Sequence, residues 1–217
     1  MNSYYETGQL TSKTGSLIAK ELPKDGNRVW KVTAEPIVEP ITVSELKDFA
    51  HIDGSAENVI LAGFISSVRI ATEEYLGRAL LQQTIRMLMD FWPSTVIELP
   101  HPPLISVDSV FTIDEDDVET TYSSDNYYSI TESTPGKLVL KKSVTFPINT
   151  NRNHGGFGIT FKAGYGTDIF DIPSPIRGGI MLWAATVYAT RVLDSKNPPP
   201  EAKAQLDLFR STAVMIR

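Results

Sequence analysis

The apolar residues of this 217-residue chain change their period twice, and no other feature restricts the fold as much. From Ile41 to Leu80 they recur at helical spacing, from there to about Ala163 they alternate, and after Pro173 helical spacing returns. Helices and strands bury different faces, so a chain with both in blocks must build a helical part and a sheet part.

The block from Ile41 to Leu80 reads as a short helix, a tight turn and a long helix. Thr42 is placed to cap the first, with Glu45 three residues on to return the hydrogen bond. Val43, Leu46, Phe49 and Ala50 form its apolar side. Asp53-Gly54 breaks it, and Ser55 can open the second helix, whose stripe is Ile60, Leu61, Phe64, Ile65, Val68, Ala71, Tyr75 and Leu76. Ser66, Arg69 and Glu73 fall opposite the stripe, and Gly77 supplies the left-handed residue that ends the helix.

Two-fold alternation follows. Ile85, Met87, Met89 and Phe91 share one face of a strand from Thr84 to Phe91. Val96–Leu99, Val107–Ile113, Val118–Tyr122, Tyr127–Thr131, Lys137–Lys141 and Gly158–Ala163 supply further strands, with Pro135-Gly136 as a turn and Pro100 to Pro103 as a rigid connector. At the C-terminal end Ser174 is a candidate N-cap and Pro175 the first helical residue. That helix runs to about Leu193, Pro198-Pro199-Pro200 breaks the chain, and a last helix buries Ala202, Leu206, Phe209, Ala213 and Ile216.

Before Pro40 only Arg28 to Val32 alternates, and Pro36 and Pro40 hold their surroundings extended. Residues 1–40 therefore read as an arm, with Val29, Trp30 and Val32 as its candidate contacts to a neighbouring subunit; a strand packed within the chain is the alternative. The expected fold is α+β. Residues 41–80 plus 173–217 form a helical bundle of two N-terminal and two C-terminal helices. Residues 81–172 are an inserted small antiparallel β domain, and 1–40 an extended N-terminal arm.

Composition narrows the function. The chain has no cysteine, which excludes disulfides and thiolate metal sites. Its N-terminus lacks the basic start and apolar core of a signal peptide, and the apolar run Gly178–Thr190 is too short to span a bilayer, so a soluble protein made in a reducing cytoplasm is expected. Residues 41–80 hold three basic and six acidic side chains, residues 81–172 six and twelve, and residues 173–217 six and three. An acidic body argues against sequence-specific DNA binding and is compatible with a surface that DNA slides past. The basic end suits docking on an acidic partner, though an excess of three over 45 residues is also within ordinary scatter.

A search for catalytic chemistry returns little. The three histidines, His51, His101 and His154, share no ligand spacing. Asp114 to Asp117 lacks the alternating ligands and distal glutamate of a calcium loop and reads as a hairpin tip. Ser12 to Ser16, Gly155 to Gly158 and Gly164 to Gly166 lack the order of phosphate loops. No catalytic residue, metal site or cofactor is assigned. The reading from another class is a ligand-binding or enzymatic β module on a helical base, with His154 and the Gly155–Gly158 loop at its site.

The order of several stretches resembles the head–tail connector proteins (adaptor or head-completion proteins) of long-tailed phages, prophages and gene transfer agents. They are Ile41 to Lys47, Glu74 to Leu80, Ile97 to Leu104 with Val107 to Val110, Pro135 to Leu138, Ile159 to Gly166 and Ile172 to Arg177, covering about residues 41–195. The arm and the tail after Pro198 depart from the pattern. The resemblance implies a non-enzymatic virion protein of the neck, assembled in the host cytoplasm. It implies a homo-oligomeric ring, twelve-fold in the family, that binds the portal protein on one side and the next neck or tail-completion protein on the other. DNA would pass through it without sequence-specific contacts, and no membrane is involved. By the same resemblance the C-terminal end, with Lys203, Arg210 and Arg217, would face the portal. A tail-completion or stopper ring is the nearest alternative role.

Overall fold

The computed structural model describes residues 27–147 and 152–210 and shows an α+β chain. Two helices, α1 (Val43–Ala50) and α2 (Asn58–Leu76), pack on α3 (Ser174–Thr190), and α4 (Pro200–Leu206) crosses the start of α3. The crossing is close because Gly179 has no side chain: a Cβ there would come within 2.8 Å of Leu206. Leu46, Leu61, Ile65, Val68, Ile176, Ile180 and Trp183 form the buried centre. Each large side chain buried there contributes roughly 1.5–3 kcal/mol.

Capping sets where the helices begin. Thr42 Oγ1 accepts from Glu45 N at 3.1 Å while Thr42 N donates to Glu45 Oε2 at 2.7 Å, the reciprocal box the sequence predicts. Burial and the Thr42 and Arg177 donors pull the Glu45 carboxyl in opposite directions, and the donors leave it below its ordinary value. Gly77 ends α2 at φ 63°. Two starts differ from expectation. Ser55 does not open α2, which begins at Asn58 after Glu57 without a side-chain cap. The Glu57 carboxylate instead accepts from Tyr188 Oη at 2.6 Å and Arg191 Nη2 at 2.9 Å, tying the start of α2 to the end of α3. Likewise Pro173, not Ser174, is the residue preceding α3, which makes Ser174 the first helical residue and Pro175 the second, where a missing N–H costs no helical bond.

Two antiparallel sheets make the β part. The first has the order β1 (Val29–Ala34), β2 (Gln83–Met89), β8 (Phe157–Ala163), β4 (Leu104–Ile113) and β5 (Glu119–Tyr122). The second has β3 (Val96–Glu98), β7 (Lys137–Leu140) and β6 (Tyr127–Ile130) in that order. Ile85, Met87 and Met89 pair with Phe161, Ile159 and Phe157, and share one core with Ile97 and Leu138 of the second sheet. Phe91, expected on that face, lies past the end of β2.

The β part is sewn to the helices just beyond β8. Tyr165 N donates to Leu80 O at 3.1 Å and Gln82 N to Gly166 O at 2.7 Å. Gly164 sits at φ 129°, where a Cβ would stand 2.4 Å from the Leu81 carbonyl, so only glycine fits.

Candidate assembly surfaces

Three regions bear on function: the strand expected in the arm, the basic end, and α2. The first follows the alternative reading, a strand packed within the chain. Val29, Trp30 and Val32 lie on β1, paired with β2 of the same chain in the register Val29–Leu88, Trp30–Met87 and Val32–Ile85, so residues 29–34 are an edge strand and not a free arm. The physical reason is the open edge of β2, whose backbone groups β1 satisfies. Thr33 Oγ1 adds a bond to Thr84 O at 3.2 Å, and Trp30 meets His101 edge to face with centroids 5.7 Å apart. Burial holds the His101 imidazole below its ordinary pKa. All six β1 residues stay exposed, and β1 is itself the new edge of the sheet. Residues 1–26 of the expected arm lie outside the described residues.

At the basic end the structure brings Lys203 and Arg210 to one aromatic ring. The Lys203 ammonium stands 5.8 Å and the Arg210 guanidinium 4.9 Å from the centre of Tyr75, near the C-terminal end of α2. Lys203 also pairs with Asp207, whose carboxylate accepts from Tyr75 Oη; the Asp207 bond raises the Lys203 pKa. Part of its charge is therefore spent inside the chain. Arg78 Nε holds the Phe209 carbonyl at 2.5 Å. Among the described residues α4 ends at Leu206 and a turn of tighter helix follows over Asp207–Phe209. Arg217, Ala213 and Ile216 lie outside the described residues.

On α2 the sequence reading fails in an informative way. Arg69 and Glu73, expected on the outer side, face inward. Arg69 is 5% exposed and bonds Glu39 at 2.9 Å and Glu73 at 3.0 Å, with Glu35 at 3.6 Å. Glu73 accepts from Leu80 N at 2.9 Å and Gln83 Nε2 at 3.1 Å. Burial raises its carboxyl above the ordinary value against the pull of Leu80 N–H and Arg69. This charged cluster fastens the connector after β1, the helix and the entry to β2 at one point. Conversely Phe49 and Ile60, assigned to the buried stripes, are 48% and 47% exposed. Periodicity could not reveal this, because the connector carrying Glu35 and Glu39 arrives from outside the helical block.

Beside the outward face of α2 runs an open groove of about 510 Å³, walled by Val38, Ile41, Val43, Ala62, Ile65 and Phe170. Its apolar character continues on fully exposed Ile37 and on Phe170, 77% exposed.

The alternative site centres on His154 and the loop after it. His154 is exposed and its Nδ1 lies 3.0 Å from Asp90 Oδ2, while Gly155 N donates to Asp90 Oδ1 at 2.8 Å. Burial works to raise Asp90, but donors from Asn27, Gly155 and His154 outweigh it and hold the carboxyl low. The group braces a loop. Asp114 Oδ1 accepts from Asp116 N and Val118 N at 3.0 and 2.9 Å, and Arg152 reaches Asp117, so the acidic tip closes on itself. Among the described residues no group of three His, Cys, Asp or Glu side chains could hold a metal ion. Nor, among them, is any helix long and apolar enough to cross a membrane.

No protein-family model matches the chain, and no curated protein does. Solved structures do. The chain is similar to one in the neck of an empty gene transfer agent (GTA) particle computed with C6 symmetry, with a TM-score of 0.74 and 20% identity. It is similar to one in the virion of a native GTA particle at 0.72, and to one in the neck of a native GTA particle computed with C12 symmetry at 0.70, both also at 20% identity. Each likeness spans 87% of this chain and 98% of the other. At that identity the likeness is one of fold.

Proposed function

We propose that this chain is a structural subunit of a virion neck, an adaptor that forms a closed ring beneath the portal and extends the DNA channel. The observation that carries the reading is the fold likeness to GTA neck chains over nearly the full length of both partners. The sequence resemblance to head–tail connectors, made on stretches within the same span, supports it independently. A ring of identical copies requires a heterologous interface that closes. Twelve copies are proposed, the number the resemblance implies. Lys203 and Arg210, gathered at the Tyr75 end of α2, are proposed to face the portal; the resemblance implies the same role for Arg217. The exposed apolar side chains of β1, Val29, Trp30 and Val32, are proposed as a contact to the next subunit through the sheet edge. An acidic body lining a channel would let DNA pass without gripping it.

The test is the mass of the purified chain alone and with its portal, followed by particle imaging. A ring, or a monomer that becomes a ring on the portal, agrees with the proposal. A monomer indifferent to the portal contradicts it.

A further inference from the structure

The outward face of α2 is built to be covered. From Asn58 to Ile70 it presents Val59, Ala62, Gly63, Ser66, Ser67 and Ile70, with no charged residue. Val59 is 85% and Ile70 53% exposed. Surface helices ordinarily place charged residues on that side. Ser67 turns its hydroxyl back to Gly63 O at 2.8 Å, so its proton is already bonded within the helix. Gly63 has no reason within the chain: it is helical, and a Cβ there would meet nothing within 4 Å. A mid-helix glycine with open space around it weakens the helix, and close approach by another backbone is a reason to keep one.

The groove walled by Val38, Ile41, Val43, Ala62, Ile65 and Phe170 adjoins this face and supplies an independent indication of a partner. The thirteen residues from Asn58 to Ile70 run about 20 Å at the helical rise, and helix plus groove are about two helix diameters wide. That footprint, roughly 400–500 Å² by the same helix dimensions, is larger than a small ligand needs and makes up about half of a protein contact of ordinary size, about 800 Å² per partner. The groove is lined by Glu39 and Asp168 and by no lysine or arginine, which disfavours nucleic acid as the occupant.

We infer that this face and groove receive a second copy of the chain and form a subunit contact of the ring in addition to the β1 edge. The inference rests on the ring reading above. In that reading the portal meets the Tyr75 end of α2, where Lys203 and Arg210 gather, so the length of α2 faces sideways. What stands beside a ring subunit is the next copy. The contact is heterologous: this face meets a different face of the neighbour.

Gly63→Glu in the full chain tests it. Folding is expected to be retained, with unchanged circular dichroism and an unfolding midpoint no lower than the parent's, while the concentration needed for assembly rises about tenfold or more. A Gly63→Glu protein that forms rings like the parent overturns the inference. A second readout uses the absence of native cysteine. In Gly63→Cys a benzophenone maleimide at the single thiol is expected to cross-link a second copy within rings. Rings whose cross-links fall only on the portal, or on neither protein, also overturn the inference. A parent chain that never assembles, with or without portal, contradicts the ring reading itself.

Discussion

The two sides of α2 are inverted. Its inner side carries Arg69 and Glu73, charged groups at 6% and 13% side-chain exposure, while its outer side carries Val59, Ala62, Gly63 and Ile70 without a charge. An isolated domain gains nothing from that arrangement. A buried ion pair rarely outweighs its own desolvation, and exposed apolar side chains on a helix leave hydrophobic stabilisation unused. The inversion makes sense if the inner charges serve position and the outer face serves a partner. Arg69 ties the connector through Glu35 and Glu39 to the helix, and Glu73 ties the helix to Leu80 and Gln83 at the entry to the sheets. One helix thereby orients the β part relative to a face left free.

The largest effect is expected from Arg69→Met, which keeps the apolar stem and leaves Glu73 buried without its cation. Urea unfolding at neutral pH is expected to show a loss of about 3–5 kcal/mol, the range for breaking a buried pair on one side. A loss below about 1 kcal/mol would mean the cluster is not a fastening.

Glu73→Gln sharpens the same side through pH. Glu73 is raised by burial, so its folded-state gain builds as pH falls through the raised value and is fully present below the unfolded carboxyl value. Glu45 and Asp90 are lowered, so their stabilisation is present above the unfolded values and fades as pH falls through the folded ones. Removing Glu73 removes the opposing gain. The unfolding midpoint of the variant is expected to drop more steeply than the parent's as pH is lowered through the acid range.

On the outer side, Gly63→Ala is expected to stabilise the unassembled chain by about 0.5–1 kcal/mol, because nothing opposes the added methyl and the helix gains propensity. A destabilisation would show that the open space is occupied even in the monomer. Smallest on stability is Ile70→Lys, expected to stay within about 0.5 kcal/mol of the parent, as exposed substitutions usually do. Its effect belongs to assembly, read as ring fraction by mass photometry.

Much of the fold was legible in the residues. The switch of period located the β insertion, and the Thr42–Glu45 pair and Gly77 fixed two helix ends because capping is a local event. Events between distant segments were not legible. β1 paired with β2 across 50 residues or more, which alternation in Arg28 to Val32 could suggest but not assign. Arg69 looked like a surface cation until Glu35 and Glu39 came to meet it. The candidate surfaces divide the same way. Lys203 and Arg210 could be picked by charge, yet their common seat on Tyr75 depends on α4 folding back to α2. The groove appears only when the connector, α1, α2 and the Thr167–Phe170 segment meet.

The measurement closest to the central claim is particle imaging of the parent chain bound to its portal, at a resolution that traces helices. The account predicts a closed ring in which the outward face of α2 is buried against the next copy and the Tyr75 end points to the portal. A ring in which that face stays open to solvent, or isolated subunits on the portal, would contradict it.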